Sequence, residues 1–192
     1  MKKWLIIGLG NPEAKYFQTY HNVGFLCVDK LAQTLSLAFS KKGNMLITTL
    51  KTKGQHVLIA KPLTYMNRSG EVVVFLARKH KIAPENIVVI YDDLYIDRGK
   101  VRINVGGSGA GHNGVGSINQ LLGYKNYIKI KLGIKPEKPP HTASGYVLSK
   151  ITDPDRELLD VSIDQAVQAV QLLLEGQRLE IVQGRFNCKN AK

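Results

Sequence analysis

Apolar residues along this chain come either in short unbroken runs or at helical spacing, and the two patterns alternate. Lys3 to Leu9 is a short run closing on Gly8-Leu9-Gly10, which predicts a buried strand entering a tight turn. From Val23 to about Leu35 the period changes. Val23, Leu26, Cys27 and Leu31 share one helical face, and Asn22 stands where it can cap the start. Cys27 is then a small core residue. Met45 to Leu50 and His56 to Ala60 read as the strands of a hairpin around Lys51-Thr52-Lys53-Gly54-Gln55. Glu71 to His80 predicts a helix, and Glu85 to Ile90 a buried strand ending at Tyr91-Asp92-Asp93. Gly114 to Leu122 predicts a short helix. Asp153-Pro154 opens a long one over 153–175, with Leu159, Ile163, Ala166, Val170 and Leu173 as its stripe and Gly176 as its stop. Strands alternating with helices, plus one hairpin, predict an α/β fold: a three-layer α/β/α domain around a twisted mixed sheet. No repeat or linker divides the chain, so 1–192 is expected to form a single domain.

Two predicted strands have unlike faces. In Tyr127 to Lys135, Ile128, Ile130, Leu132 and Ile134 oppose Lys129, Lys131 and Lys135. Val101, Ile103 and Val105 likewise oppose Lys100, Arg102 and Asn104. Lysines of this kind either protect an edge strand from aggregation or, with Lys138, form a basic face for phosphates.

Composition narrows the function. Apolar residues make up 44% and charged residues 22%, which excludes a disordered or fibrous chain. No apolar run approaches the roughly 20 residues that span a bilayer. Met1-Lys2-Lys3 followed by Trp4-Leu5-Ile6-Ile7 is too short for a signal peptide, so a cytoplasmic protein with no membrane partner is expected. Lys and Arg number 27 against 15 acidic residues, a net charge of +12 that favours a polyanionic partner, nucleic acid above all. Cys27 and Cys188 lie far apart and outside any C-x-x-C spacing, so neither a zinc site nor a disulfide is expected.

The glycine-rich segments are not nucleotide fingerprints. The third glycine after Gly8-Leu9-Gly10 falls at Glu13, which would repel a pyrophosphate. Gly106 to Gly114 lacks the Gly-Lys-Ser/Thr of a P-loop, so no cofactor is expected. That segment does present His112-Asn113 where a helix begins. Among five histidines, His56, His80 and His141 read as solvated surface residues. His21 and His112 differ, each lying among glycine turns and followed by Asn. Histidine takes a proton near neutral pH and works best with a carboxylate fixing its tautomer. Asp92, Asp93 and Asp97 are available past a central strand, at the end where open α/β sheets gather ligands. No Ser or Cys sits in a nucleophile-elbow pattern, which points to activated water.

These residues match a family. Gly8-Leu9-Gly10-Asn11-Pro12, Tyr16 and Thr19-Tyr20-His21-Asn22-Val23-Gly24 resemble the amino-terminal signature of bacterial peptidyl-tRNA hydrolases. The likeness continues through Lys61 to Gly70, Tyr91-Asp92-Asp93-Leu94, Gly111-His112-Asn113-Gly114, Gly145 to Lys150 and Arg185-Phe186-Asn187. A monomer is expected because no exposed apolar stripe is apparent in the sequence. The resemblance implies a phosphorylase/hydrolase-like fold and a metal-independent enzyme. It would cleave the ester joining a peptide to the 3′-terminal ribose of tRNA, with peptidyl-tRNA, its 3′ end and its phosphate backbone as partners. It implies His21 as general base and Asp92 as the carboxylate holding it basic. Asn11, Asn67 and Asn113 would line the cleft, with Asn11 or Asn67 as oxyanion donor. Tyr16, Tyr65 and Met66 would help hold the terminal nucleotide and peptide. His112 would order its loop, and residues 136–150 would form a mobile cover.

Four positions depart from the family's usual residues. Glu13 and Ala110 stand for Gly, Tyr20 for Arg or Lys, and Tyr65 for Phe. On this reading the rate falls as pH drops through the His21 pKa, near 6.5 if unperturbed. Two other readings compete: an RNA-binding module like the plant organellar splicing factor of this fold, which would bind without hydrolysis, and a nucleoside phosphorylase-like enzyme, whose turnover would respond to added phosphate.

Overall fold

The apolar runs become strands whose alternate residues feed two separate cores. A computed structural model describes residues 1–52 and 54–187. The elements follow in the order β1 (Lys2–Gly8), α1 (Val23–Thr34), β2 (Ser40–Lys42), β3 (Met45–Lys51), β4 (Gln55–Pro62), α2 (Ser69–His80), β5 (Ile87–Asp97), β6 (Val101–Val105), α3 (Asn113–Leu122), β7 (Ile128–Lys135), α4 (Ala143–Val147), α5 (Asp153–Leu174) and α6 (Leu179–Phe186). Among the described residues, the seven strands form one sheet in the order β2-β3-β4-β1-β5-β7-β6. The central pairs β4–β1, β1–β5 and β5–β7 are parallel, while β2, β3 and β6 pair antiparallel at the two sides. The sheet is mixed, as the pattern predicts.

On one face Trp4, Ile6, Val88, Ile90 and Ile130 pack against α1, α5 and α6. On the other, Leu5, Ile7, Val89 and Tyr91 pack against α2 and α3. A strand buried on both faces reads as a continuous apolar run, and β1 and β5 do. The α5 stripe of Leu159, Ile163, Ala166, Val170 and Leu173 is buried as predicted, and Cys27 sits in the same core. α1 crosses the sheet so closely that a Cβ on Gly24 would lie 2.4 Å from the Ile90 carbonyl oxygen. That approach sets the residues before α1 against the carboxyl ends of β1 and β5.

Five expectations change. Asn22 stands at the N-cap position of α1, but its side chain makes no cap there and bonds Asn11 instead. The strand predicted for Glu85 to Ile90 starts at Ile87 and runs on to Asp97, so Asp92 lies inside it. Lys129 does not face solvent: β7 is flanked by β5 and β6, and Lys129 is fully buried. Its Nζ donates to the Lys125 carbonyl at 2.8 Å and lies 3.6 Å from the Tyr127 ring centroid, and burial lowers its pKa to about 8. Val105, expected on the apolar face of β6, is exposed. Nor are His56 and His80 simple surface residues, since their half-buried rings meet edge to face at 6.0 Å. Cys188 and Lys53 lie outside the described residues.

Two further features frame the molecule. The outer edge of β6 is met by Asn187, whose side-chain oxygen accepts the Ile103 N–H and whose amide donates to the Ile103 carbonyl, both at 2.7 Å. At the opposite side, the β2–β4 strands and α2 enclose a hollow of about 510 Å³ walled by Met45, Ile47, Leu58, Val72 and Phe75.

Candidate active site

Leaving β1, the chain turns through Leu9-Gly10 and presents Asn11. A reciprocal pair fixes it: Asn11 N–H donates to Asn22 Oδ1 and Asn22 Nδ2 donates to the Asn11 carbonyl, both at 2.9 Å. This pair replaces the expected cap and ties the turn after β1 to the turn before α1. His21, one residue earlier, is thereby held beside Asn11. The Met66 N–H donates to Asn11 Oδ1 at 3.0 Å. A backbone N–H requires an oxygen, so the Asn11 amide has one orientation and its NH₂ is left as the free donor.

His21 is buried, and its Nδ1 lies 2.9 and 3.0 Å from the two Asp92 carboxylate oxygens. Nδ1 donates to that anion, so the lone pair resides on Nε2. His112 reaches the same carboxylate from the other side, Nε2 to Asp92 Oδ1 at 3.0 Å. Its Nδ1 accepts the N–H groups of Gly114 and Val115 at 3.1 and 3.3 Å and so caps α3. Both His112 nitrogens are committed, whereas His21 keeps one free. Burial alone would raise the Asp92 carboxyl, but the charge and hydrogen bonds of the two imidazoles outweigh it and hold the group well below the usual carboxylate range. For His21, burial favours the neutral ring, and Asp92 overrides that by charge and hydrogen bond, so its pKa lies above 6.5.

One ligand-type atom from each of His21, Asp92 and His112 falls within a 4.8 Å cluster, a spacing a metal ion could use. His21 Nδ1 and His112 Nε2 each lie at hydrogen-bond distance from the Asp92 carboxylate, so the arrangement suits the holding of protons between them. Its neighbours are spent elsewhere. Asp93 takes the Tyr95 N–H and the Lys131 ammonium at 2.9 and 3.0 Å, and exposed Asp97 pairs with Lys100 and Lys135 at 2.7 and 3.4 Å.

Around this cluster opens a cleft of about 660 Å³. Asn11, His21, Tyr65, Met66, Asn67, Asp92 and Asn113 all border it, from five separate stretches of chain. Tyr65, Asn67 and Asn113 are exposed at its walls, while Met66 is buried and serves by its backbone. Tyr16 does not line the cleft; it stands half-buried, with Lys15 Nζ 4.8 Å from its ring centroid. Within 136–150, α4 supplies Ala143, Ser144 and Val147 to the lining. The double engagement of His112 escaped the sequence reading, as did the helix α4 within the segment expected to cover the cleft. A polar residue just before the helix at 113 was the available signal for the first. In the Gly-rich loop a Cβ on Gly109, at φ +86°, would strike Val115 at 2.4 Å. Ala110 adopts φ +51° despite its Cβ.

Residues 5–192 match the family model described as peptidyl-tRNA hydrolase. The chain belongs to the peptidyl-tRNA hydrolase family. It is 41% identical to the peptidyl-tRNA hydrolase of Elusimicrobium minutum over 95% of this chain and 98% of that one. Identity to the Mycobacterium tuberculosis peptidyl-tRNA hydrolase is 37%, covering 96% of this chain and 97% of the relative. The crystal structure of the Acinetobacter baumannii peptidyl-tRNA hydrolase is 34% identical and superposes with a TM-score of 0.90, covering 96% of this chain and 94% of that one. In this member of the peptidyl-tRNA hydrolase family no described helix is long and apolar enough to cross a membrane.

Proposed function

We propose that this chain hydrolyses the ester between a peptide and the 3′-terminal ribose of tRNA, with His21 as general base. The carrying observation is the asymmetry of two imidazoles on one carboxylate: His112 has no nitrogen to spare, and His21 has Nε2. Nε2 would take a proton from water as its oxygen attacks the ester carbonyl. Asp92 stabilises the imidazolium, and the proton then passes to the departing ribose oxygen. General-base assistance of this kind contributes roughly 10²–10⁴-fold.

The fixed amide of Asn11 supports its assignment as oxyanion donor over Asn67, because its oxygen is occupied and its NH₂ is not. Asn67 and Asn113 offer both donor and acceptor to a peptide backbone. A charged α-ammonium would be poorly matched there, which favours a blocked, peptide-bearing substrate. Exposed Tyr65 suits stacking on the terminal base. Phosphate contacts fall to exposed Arg102 and Lys138, with buried Lys129 and paired Lys131 removed from the expected ladder.

The test incubates the protein with N-acetyl-aminoacyl-tRNA and, in parallel, free aminoacyl-tRNA, with His21→Ala as control. Release from the blocked substrate alone, lost in the variant, is the expected result. Binding without release would replace this reading with an RNA-binding module.

A further inference from the structure

The residue before His21 is held by a separate set of contacts that the chemistry above does not use. The Tyr20 ring is buried and stacks on Tyr146, with centroids 4.6 Å apart and planes 20° from parallel. Its hydroxyl donates to Asp155 at the start of α5, and Arg98 donates to the other oxygen of the same carboxylate. Tyr146 belongs to α4, and its hydroxyl donates to the Ile134 carbonyl at 2.8 Å. The backbone reinforces this contact: Ile151 N–H donates to the Gln18 carbonyl at 2.8 Å, Thr19 bridges Lys150, and the Lys150 ammonium donates to the Lys15 carbonyl at 2.6 Å.

Tyr20 and His21 share one short turn, Tyr20–Asn22, and project to different sides of it. One ring is gripped by α4 and α5, the other by Asp92. α4 in turn lines the cleft through Ala143, Ser144 and Val147. The turn therefore cannot rotate without disturbing the α4 wall, nor the wall shift without pulling on the turn.

We propose that the Tyr20–Tyr146 stack is a clasp, and its two tyrosines positioning residues, that couple the seating of the α4 wall to the alignment of His21. The proposal rests on His21 being the base. Segment 136–150 then acts on the reaction through two routes, as a wall touching the peptide and as a brace on the base.

The test measures kcat, KM and the pH profile of kcat for N-acetyl-aminoacyl-tRNA hydrolysis in Tyr20→Phe, Tyr20→Leu, Tyr146→Leu and the double Leu variant, with thermal melts alongside. Misalignment of a base by a fraction of an ångström predicts kcat losses on the order of tenfold in each single Leu variant, since a 1 Å misplacement can cost about 10²-fold. The midpoint of the pH profile should fall in both, because a loosened His21–Asp92 contact loses what raises it. Tyr146→Leu should also raise KM. The double variant should be no worse than the poorer single one, and Tyr20→Phe, which keeps the stack, should stay within about twofold of wild type. Losses that multiply in the double variant, or a pH midpoint unmoved in both singles, overturn the clasp. If Tyr20→Leu does not fold, Tyr146→Leu on the short α4 carries the same readouts, and an unchanged kcat and midpoint there overturn it. Activity surviving in His21→Ala would instead overturn the base assignment, so the two failures are distinguishable.

Discussion

The cleft at the carboxyl ends of β1 and β5 and the hollow between the hairpin strands and α2 enclose comparable space, about 660 and 510 Å³. Their linings differ in kind. The cleft gathers a buried carboxylate, two imidazoles and three amides from separate stretches of chain, with the Asp92 oxygens, His21 Nδ1 and both His112 nitrogens partnered and His21 Nε2 left free. The hollow mixes apolar side chains such as Met45, Leu58 and Phe75 with Lys42, Lys79 and His80, and among the described residues it pairs no imidazole with a carboxylate. Its one acid, Glu71, is bonded by Arg68 at 2.7 and 3.1 Å, and the buried Thr64 hydroxyl finds no partner among the described residues. Volume does not make a reactive site; convergence of groups whose proton positions are fixed does.

The largest effect expected is from Asp92→Asn, which keeps the shape of the carboxylate and removes its charge. kcat should fall on the order of 10²-fold or more, since the carboxylate both orients the ring and stabilises its charged form. The pH profile supplies the sign. In the wild type the half-rise of kcat is expected above pH 6.5, because His21 as the proposed base must be neutral to act and Asp92 raises its pKa. In the Asn variant only burial remains, and the half-rise should move below 6.5. Stability runs the other way. A raised histidine pKa stabilises the fold below the unfolded value and that contribution is lost as pH climbs through the folded one. Melts of the wild type against pH should therefore weaken across the window in which activity appears.

Asn113→Ala removes a free amide from the cleft wall. KM should rise about tenfold, roughly the loss of one hydrogen bond of 1–1.5 kcal/mol, and an unchanged KM and kcat would refute the contact. Thr64→Val, in the hollow, should do the reverse. Replacing an unpartnered buried hydroxyl by a methyl raises stability by about 1 kcal/mol and leaves the kinetics alone, sharpening the contrast between the two cavities. The smallest effect is at Ala110. A left-handed conformation costs a non-glycine residue about 1–2 kcal/mol, and glycine costs about 0.5–1 kcal/mol in chain entropy. Ala110→Gly should thus stabilise by about 0.5 kcal/mol, a Tm rise of about 1–2 °C for a chain of this size.

The layers of this fold were legible because burial imposes a period. The α5 stripe and the β1 run had to be apolar in the positions they occupy, and they were. The lysines of β7 misled for an equally physical reason. Alternation reports that one face differs from the other but not that the second face meets water. Lys129 is accommodated inside because its own backbone neighbourhood supplies an acceptor and Tyr127 a ring. The roles proposed for His21 and Asp92 came from the resemblance of whole motifs, since the two lie 71 positions apart and nothing local joins them. The Tyr20–Tyr146 contact and the bond from His112 to Asp92 were invisible for the same reason, each depending on a side chain from another part of the chain, whereas the cap that His112 makes on α3 is local.

At the far side of the molecule, the Asn187 carboxamide offers Ile103 the same donor and acceptor that a neighbouring strand would, at the same spacing. β6 would otherwise present open valences to another chain. With Gln183, whose Nε2 donates to the same Ile103 carbonyl at 3.2 Å, this amide at the end of α6 works as a chain terminator for the sheet, closing its edge after the seven described strands by imitating part of an eighth.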